Sequence, residues 1–277
     1  MHKTINHLVQ LQELRLAREQ EAFMGGSRLE QLDEAIGGLT EQLPPSVKSV
    51  FLKLQKKDTV AIVPISAGVC STCGMKLPIS LVQSVRAEKE IHPCPNCSKI
   101  LYYIDEPARS VARKQRRTDP QRVGIDRFSA AELMIPRLTA TNRDSAVREL
   151  ADKMEKEGFV EKADKLTEAA LKREAILGTA VDHGLAFPHV RGVEGGGLTL
   201  ALGISEKGIA FNSDPKHLTH VMFFMVIPTA ATAFYLKLIA GLAETFMPNE
   251  ARNSLLAEED PLKLWKLLKK LTRRSIT

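Results

Sequence analysis

The chain carries two Cys-x-x-Cys pairs, and these restrict its fold more than any other feature of the sequence. The pairs are Cys70 with Cys73 and Cys94 with Cys97, and 20 residues lie between them. Such spacing is typical of a zinc site, because each short turn directs two thiolates at one point and two turns complete a tetrahedron. Four protein ligands leave no open position, so the sequence predicts one structural zinc ion (Zn²⁺). A redox dithiol and an iron–sulfur site are the alternatives, and the matched pairs with small turn residues favour zinc.

The length of 277 residues favours two domains over one. Hydrophobic residues make up 44% and charged residues 26%, which are the values of an ordinary globular protein with a real core. Aromatic residues make up only 5%, so a stacking surface for single-stranded nucleic acid is poorly supplied. The net charge is +6 and the isoelectric point is near 9.1, which permits an anionic partner without requiring one.

The sequence predicts a cytoplasmic protein with no membrane insertion. Charged residues stand too close to the first residue for a secretion signal. The longest uncharged run, residues 221–236, falls short of the ~20 residues of a membrane span, and Pro228 interrupts it. We interpret this run as a buried strand, a turn and the start of a helix.

Helical patterns precede the cysteines. Residues 4–23 carry apolar side chains near one face, and residues 29–43 repeat leucine and isoleucine at heptad spacing until Pro44 and Pro45 end the helix. We therefore expect residues 1–58 to form a helical hairpin or short coiled coil. It would either pack on its own domain or dimerise, and the short heptad run leaves both open. Residues 59–106 are turn-rich and β-like, as expected of a small zinc ribbon.

A basic stretch joins the two halves of the chain. Residues 107–124 contain several arginines and almost no apolar side chains, which is typical of a solvated linker. We interpret the stretch as a mobile spacer, and an electrostatic arm for nucleic acid is the alternative.

Helical and strand patterns alternate over residues 125–277. The predicted helices are 142–157, 164–177, 235–246 and one around 264–271, and the predicted strands are 198–204 and 221–227. The alternation predicts an α/β sandwich, in which helices flank a mixed sheet. The expected fold class is therefore α+β multidomain, with a helical hairpin and small β zinc ribbon followed by the sandwich.

One histidine of the second half is presented by a rigid segment. Pro188 fixes its own φ and restricts Phe187 to an extended conformation, so His189 stands at the end of a strand-like segment. A neutral imidazole is a good nucleophile and could accept a phosphoryl group, whose charge a guanidinium stabilises best. Arg173 and Arg191 are the candidates for that guanidinium. A lone histidine at a strand end is more often an ordinary surface or core residue, so residue type alone does not decide.

The cysteine segment resembles a known family. The stretches VPISAGVCSTCGMKLP and IHPCPNCSKILYY resemble the four-cysteine zinc ribbon of a bacterial family in which the ribbon follows a helical hairpin. The resemblance covers roughly the first 105 residues, although that family usually has a much longer coiled coil. It implies a binding or scaffolding role, with nucleic acid or protein as the partner, and no chemistry.

Short motifs around His189 carry a second resemblance. They are Arg173-Glu174, Gly178-Thr179 and the run Gly184-Leu185-Ala186-Phe187-Pro188-His189. Residues 125–271 resemble the enzyme IIA domain of the fructose/mannitol/nitrogen class (EIIA type 2) in the bacterial sugar phosphotransferase system (PTS). The resemblance implies that His189 accepts a phosphoryl group from the phosphohistidine of the carrier HPr and that Arg173 neutralises the phosphate. The group would then pass to an enzyme IIB domain or stay as a regulatory mark.

The chain departs from the IIA pattern at two positions. The family usually has a second active-site histidine after the central strand, and the aligned residue is Tyr235, whose hydroxyl can still bond a phosphate oxygen. His183 stands where the family often has Asn or an acidic residue. It either substitutes for the second imidazole or faces solvent, and we assign no role to His217 and His220.

The sequence therefore supports three functions. The leading one is a regulator that accepts phosphate on His189 and signals through the zinc ribbon. If it accepts phosphate in this way, the protein is a phosphotransferase. The second is a transit carrier of phosphate to a separate enzyme IIB. The third is a binding protein on a degenerate IIA fold that takes no phosphate and holds nucleic acid or protein.

Overall fold

The computed structural model describes residues 2–24, 28–104, 108–111, 121–176, 178–211, 217–228 and 232–276. The chain divides into two units, Met1–Glu106 and Pro107–Thr277, each with its own core. This agrees with the two domains that the chain length favours.

Helices open the first unit. They are α1 (His2–Met24), α2 (Leu29–Glu41) and α3 (Pro45–Gln55). The apolar faces are buried inside the unit, with Leu8 and Leu11 of α1, Leu32 of α2 and Phe51 of α3 at most 1% exposed. These apolar side chains of the hairpin are therefore covered within the first unit.

The side chain of Gln12 joins α1 to the sheet of the first unit. Its Oε1 accepts hydrogen bonds from the backbone amides of Ala61 (2.7 Å) and Ile62 (2.9 Å), and its Nε2 donates to the carbonyl of Ile62 (2.9 Å). One amide side chain thus satisfies three backbone groups that a neighbouring strand would otherwise satisfy.

The sheet of the first unit contains four strands. They are β1 (Ile62–Ser66), β2 (Val69–Cys70), β3 (His92–Pro93) and β4 (Ile100–Tyr103), and α4 (Ile79–Ala87) lies between β2 and β3 in the chain. The strand order is β2-β1-β4-β3, with β1 and β4 parallel and the outer pairs antiparallel. Val63, Leu77 and Val85 pack against the cysteines in one hydrophobic core.

A six-stranded sheet forms the centre of the second unit, with the order β6-β11-β12-β9-β8 and β10 also paired to β12. The strands of the unit are β5 (Arg109–Ser110), β6 (Met134–Ile135), β7 (Val160–Glu161), β8 (Ala180–Val181), β9 (Leu185–Ala186), β10 (His189–Val193), β11 (Thr199–Ile209) and β12 (Thr219–Pro228). The helices are α5 (Arg143–Lys156), α6 (Ala163–Ile176), α7 (Thr232–Phe246), α8 (Asn249–Leu256) and α9 (Pro261–Thr272). Residues 221–227 of β12 are fully buried, as their continuous apolar sequence predicts.

Strands β9 and β10 lie end to end along one side of β12. Both are parallel to it, with Leu185 opposite Val221 and His189 opposite Met225. Between them the amide of Met225 donates to the carbonyl of Pro188 over 3.0 Å. The chain before His189 is therefore fixed to the central strand of the sheet.

The predicted elements are confirmed where their boundary signals are local. Asn142 caps α5 and forms a capping box with Ser145, and Gly158 follows the helix with φ +73°. The first residues of the predicted linker differ, because Arg109–Ser110 forms β5 and pairs with β7. Residues 112–120 of that stretch lie outside the described residues.

Candidate functional site

The backbone around His189 is immobilised on both sides. The ring of Phe187 is fully buried and stacks on Phe223 with 5.6 Å between the ring centroids. The amide of Phe187 donates to the carbonyl of Thr179 over 3.1 Å. His189 begins β10 and is only 1% exposed. Its imidazole therefore has a fixed position at the edge of the buried core.

The hydrogen bonds of His189 determine its tautomer. Nδ1 lies 2.9 Å from the carbonyl oxygen of Phe187, which can only accept, so Nδ1 carries the proton. Nε2 lies 3.1 Å from Nη2 of Arg191, which can only donate, so Nε2 holds the lone pair. The nucleophilic nitrogen is therefore Nε2, and it faces a guanidinium.

The surroundings of His189 keep the imidazole neutral. Burial lowers its pKa well below the ordinary value of 6.5, and the positive charges of Arg173 and Arg191 lower it further. Near neutral pH the ring is uncharged, which is the form that attacks an electrophile.

Arg173 reaches the site from the end of α6. It is 8% exposed, and its charge acts on His189. The next residue, Glu174, is 3% exposed and accepts hydrogen bonds from the amide (2.5 Å) and hydroxyl (2.8 Å) of Thr179. Burial raises the pKa of Glu174. The Glu174–Thr179 contact ties the last turn of α6 to the chain that leads into β8.

Tyr235 of α7 lies beside the histidine. It is fully buried, with its ring centroid 5.7 Å from that of His189. The guanidinium carbon of Arg191 lies 4.6 Å from the same ring centroid. The structure thus brings Tyr235 beside His189 and places Arg191, one of the two arginines considered from the sequence, in direct contact with Nε2. The charge of Arg173, the other arginine, also acts on His189.

His183 lies elsewhere. It is exposed, has φ +67°, and lines a cleft of about 330 Å³ together with His217 and His220. The cleft lies at the start of β12, where its His220 is five residues before Met225, the residue opposite His189. The contacts that the structure gives for His189 do not include His183, so its auxiliary role stays a prediction.

The four cysteines form a second candidate site in the first unit. They are free thiols, and their four Sγ atoms lie within 4.8 Å of one another. Both the Cys70–Cys97 and the Cys73–Cys94 Sγ pairs are 3.7 Å apart. A tetrahedron of zinc–sulfur bonds of about 2.3 Å has an S–S edge of about 3.8 Å. The residues present therefore fit a zinc ion.

Neighbouring groups favour a thiolate at Cys73, whereas burial raises the pKa of the Cys70 and Cys97 thiols. The side chain of Asn96, and then the amide of Met75, lower the pKa of Cys73 to about 6. Asn96 is not a ligand, but its side chain stabilises the Cys73 thiolate. In the sequence, only its position inside the second Cys-x-x-Cys pair indicates this role.

Comparison with known proteins assigns a family to the segment that contains each candidate site. Residues 128–271 match the family "Phosphoenolpyruvate-dependent sugar phosphotransferase system, EIIA 2", and residues 69–101 match the C4-type zinc ribbon domain. The EIIA 2 match spans more than half of the chain, and the chain belongs to that family. The predicted combination of an N-terminal zinc ribbon and a C-terminal IIA domain is confirmed, as is the predicted fold class.

The second unit is similar to two characterised types of IIA protein. The fructose-specific EIIA component of Haloferax volcanii is 25% identical over 49% of this chain and 88% of its own length. The nitrogen regulatory protein of Bradyrhizobium diazoefficiens is 28% identical over 50% of this chain and 90% of its own length. Among solved structures, nitrogen regulatory protein IIA-Ntr from Neisseria meningitidis matches 51% of this chain and 96% of its own, with 22% identity and a TM-score of 0.45.

Within the described residues, none of the helices has the length and apolar character that crossing a membrane requires.

Proposed function

We propose that the protein accepts a phosphoryl group from phospho-HPr on Nε2 of His189 and holds it as a regulatory signal. The zinc-ribbon unit would convey that signal to a protein or nucleic-acid partner in the cytoplasm. One observation carries the proposal: a buried, neutral imidazole keeps its proton on Nδ1 and turns the Nε2 lone pair toward a guanidinium.

The transfer step needs no added acid or base. The lone pair of Nε2 forms a bond to phosphorus as the bond from phosphorus to the donor imidazole breaks, and the donor nitrogen keeps that electron pair. The proton on Nδ1 stays on its bond to Phe187, so the phosphorylated ring becomes cationic. The positive charges of Arg173 and Arg191 act on His189 and would offset the negative charge of the phosphoryl oxygens, which is the main protein contribution in such reactions.

Two features favour a regulatory role over simple transit. The IIA unit is joined to a zinc-ribbon unit, which would supply a surface for a partner rather than chemistry. Tyr235 lies beside His189, at the position where the IIA family usually has a second active-site histidine. A tyrosine ring neither carries charge nor shuttles a proton near neutral pH.

We further propose that the cysteines hold one zinc ion with a structural role. Four protein ligands fill a tetrahedral site, and the site belongs to the hydrophobic core of the first unit. Cys70, Cys73, Cys94 and Cys97 are the ligands, and the ion would set the shape of the partner-binding surface.

The experiment is intact-mass analysis after incubation with phosphoenolpyruvate, enzyme I and HPr. The expected result is one acid-labile phosphate on the wild type and none on His189→Ala. Unmodified wild-type protein beside phosphorylated HPr would contradict the proposal and leave a binding protein on an inactive IIA fold.

A second stage separates regulation from transit. Enzyme IIB is added to the purified phosphoprotein, and bound partners are compared between the wild type and His189→Ala. Partners that change with phosphorylation, with little loss of phosphate to IIB, support the regulator. Rapid loss of the phosphate to IIB would assign the protein to transit instead.

A further inference from the structure

Arg191 lies between an aromatic ring and the nucleophilic nitrogen. Its Nη2 is 3.1 Å from Nε2 of His189, and its guanidinium carbon is 4.6 Å from the ring centroid of Tyr235. His189 and Tyr235 are at most 1% exposed and Arg191 is half-buried, so water has little access to the two rings. The guanidinium is therefore held where the phosphoryl group must arrive.

We propose that Arg191 binds the incoming phosphoryl group directly and that Tyr235 acts as a positioning residue, through the face of its ring rather than through its hydroxyl. This rests on the proposed function of His189. When the Nε2 lone pair bonds to phosphorus, it no longer accepts the hydrogen bond from Arg191. The same N–H of Arg191 then donates its hydrogen bond to a phosphoryl oxygen. No atom beyond those of the transfer step already described is required.

The strand geometry places Arg191 for this role. His189 and Arg191 are two residues apart on β10, and alternate residues of a strand point to the same face. An arginine two residues along can therefore reach Nε2 without distortion of the backbone. Its planar group of N–H donors suits phosphoryl oxygens and also stacks on aromatic rings, and a lysine would do neither in the same way.

The ring of Tyr235 supplies the other half of the arrangement. A guanidinium within about 6 Å of an aromatic centroid is attracted to the negative face of the ring, and burial strengthens the attraction. From the sequence, the Tyr235 hydroxyl is able to bond a phosphate oxygen. In the structure the ring face of Tyr235 lies against Arg191. Tyr235 therefore assists phosphate binding by holding Arg191 in position.

The test is single-turnover transfer from phospho-HPr to the wild type, Arg191→Gln, Tyr235→Phe, Tyr235→Leu and the double variant Arg191→Gln/Tyr235→Leu. We expect Arg191→Gln to be about 10- to 100-fold slower, the effect of losing one charge-assisted hydrogen bond. Tyr235→Leu should be about 10-fold slower and Tyr235→Phe within about 3-fold of the wild type, because phenylalanine keeps the ring face. Arg148→Gln, at an exposed position of α5, is the charge control and should match the wild type.

The double variant distinguishes positioning from simple packing. If Tyr235 acts through Arg191, the double variant is no slower than Arg191→Gln alone. Multiplying effects would overturn the positioning role, and so would a Tyr235→Phe variant as slow as Tyr235→Leu. An unchanged rate in Arg191→Gln would overturn the role of Arg191. Thermal unfolding of each variant checks that it is folded.

A second readout does not depend on phosphorylation. The ¹⁵N resonances of the His189 imidazole are recorded in the unphosphorylated chain. Arg191→Gln and Tyr235→Leu should both shift the Nε2 resonance, and Tyr235→Phe should leave it in place. If the wild type takes no phosphate, the proposed function fails, and an Nε2 resonance unmoved by Arg191→Gln would independently overturn the Arg191 contact.

Discussion

His189 remains neutral because burial and the positive charges of Arg173 and Arg191 outweigh the hydrogen bond to the Phe187 carbonyl, which acts in the opposite direction and raises the pKa. The carbonyl of Phe187 holds the Nδ1 proton, while burial and the two guanidiniums oppose a second proton. An ordinary exposed histidine would be partly protonated slightly below neutral pH and would lose its nucleophilic lone pair.

The lowered pKa of His189 predicts a specific pH dependence of stability. Below about pH 6.5, His189 binds a proton in the unfolded chain but stays neutral in the folded chain. The free energy of unfolding therefore falls, as the pH falls, by up to about 1.4 kcal/mol per pH unit. Above that pH, His189 is neutral in both states and the free energy of unfolding does not depend on its titration. Urea unfolding of the second unit from pH 7.5 to 5 should therefore show a steeper fall for the wild type than for His189→Asn. Parallel curves would contradict the shift.

Glu174 fixes the end of α6 through Thr179. Its replacement by alanine removes the acceptor of both the amide and the hydroxyl of Thr179, and we expect a loss of about 2–3 kcal/mol in the free energy of unfolding. Glu168→Ala on the exposed side of the same helix is the control, expected within about 0.5 kcal/mol of the wild type. Equal effects of the two changes in denaturant unfolding would show that the buried contact is unimportant.

Helix α1 is an integral part of the first unit because Gln12 behaves like one residue of a neighbouring strand. The apolar face of α1 provides the burial, and Gln12 fixes where along β1 the helix lies. A short hairpin that docks in this way needs no second copy to cover the apolar residues on its buried face.

The Gln12 contact can be tested by hydrogen exchange. Gln12→Ala leaves the amides of Ala61 and Ile62 without this acceptor, so both should exchange faster. The unit should lose about 1–3 kcal/mol of unfolding free energy. Gln31→Ala, at an exposed position of α2, should change neither quantity. Unchanged protection at both amides in Gln12→Ala would show that the contact does not form in solution.

The elements recovered from the sequence are those with local signals. Asn142 and Gly158 bracket α5, Pro44 and Pro45 follow the end of α2, and an unbroken apolar run marks β12. Two-residue strands such as β5 carry no periodicity of their own, and pairing with a distant segment defines them. Helix α8 was also missed, because its eight residues span too few turns for a clear apolar period.

The features of the candidate site also differ in whether a local sequence pattern indicates them. The cysteine spacing and the Pro-His segment are local patterns and were recognised, whereas the stacking of Arg191 on Tyr235 joins β10 to α7 and left no signal in the sequence. The location of His183 likewise depends on the register of β9 against β12. Register is set by packing, so sequence alone could not place this histidine.

Taken as a whole, the chain joins a zinc-ribbon unit to a unit of the EIIA 2 family, and each has its own core. We therefore expect removal of the metal to affect only one of them. The freshly purified protein should contain one zinc ion per chain, and a strong chelator or Cys94→Ser should abolish exchange protection in residues 62–103 while the sheet around β12 stays protected. Ser84→Ala, at an exposed position of α4, is the control.

Absence of zinc, or iron in its place, would contradict the zinc assignment. Chelation that leaves residues 62–103 protected would contradict its structural role.

The central claim is that Nε2 of His189 is the phosphoryl acceptor, and the position of the phosphate on the ring tests it most directly. After phosphorylation by phosphoenolpyruvate, enzyme I and HPr, ¹⁵N and ³¹P NMR of the protein should show a phosphorus–nitrogen bond at Nε2, with the proton still on Nδ1 and bonded to Phe187. A phosphate on Nδ1, on another residue, or on none would contradict it.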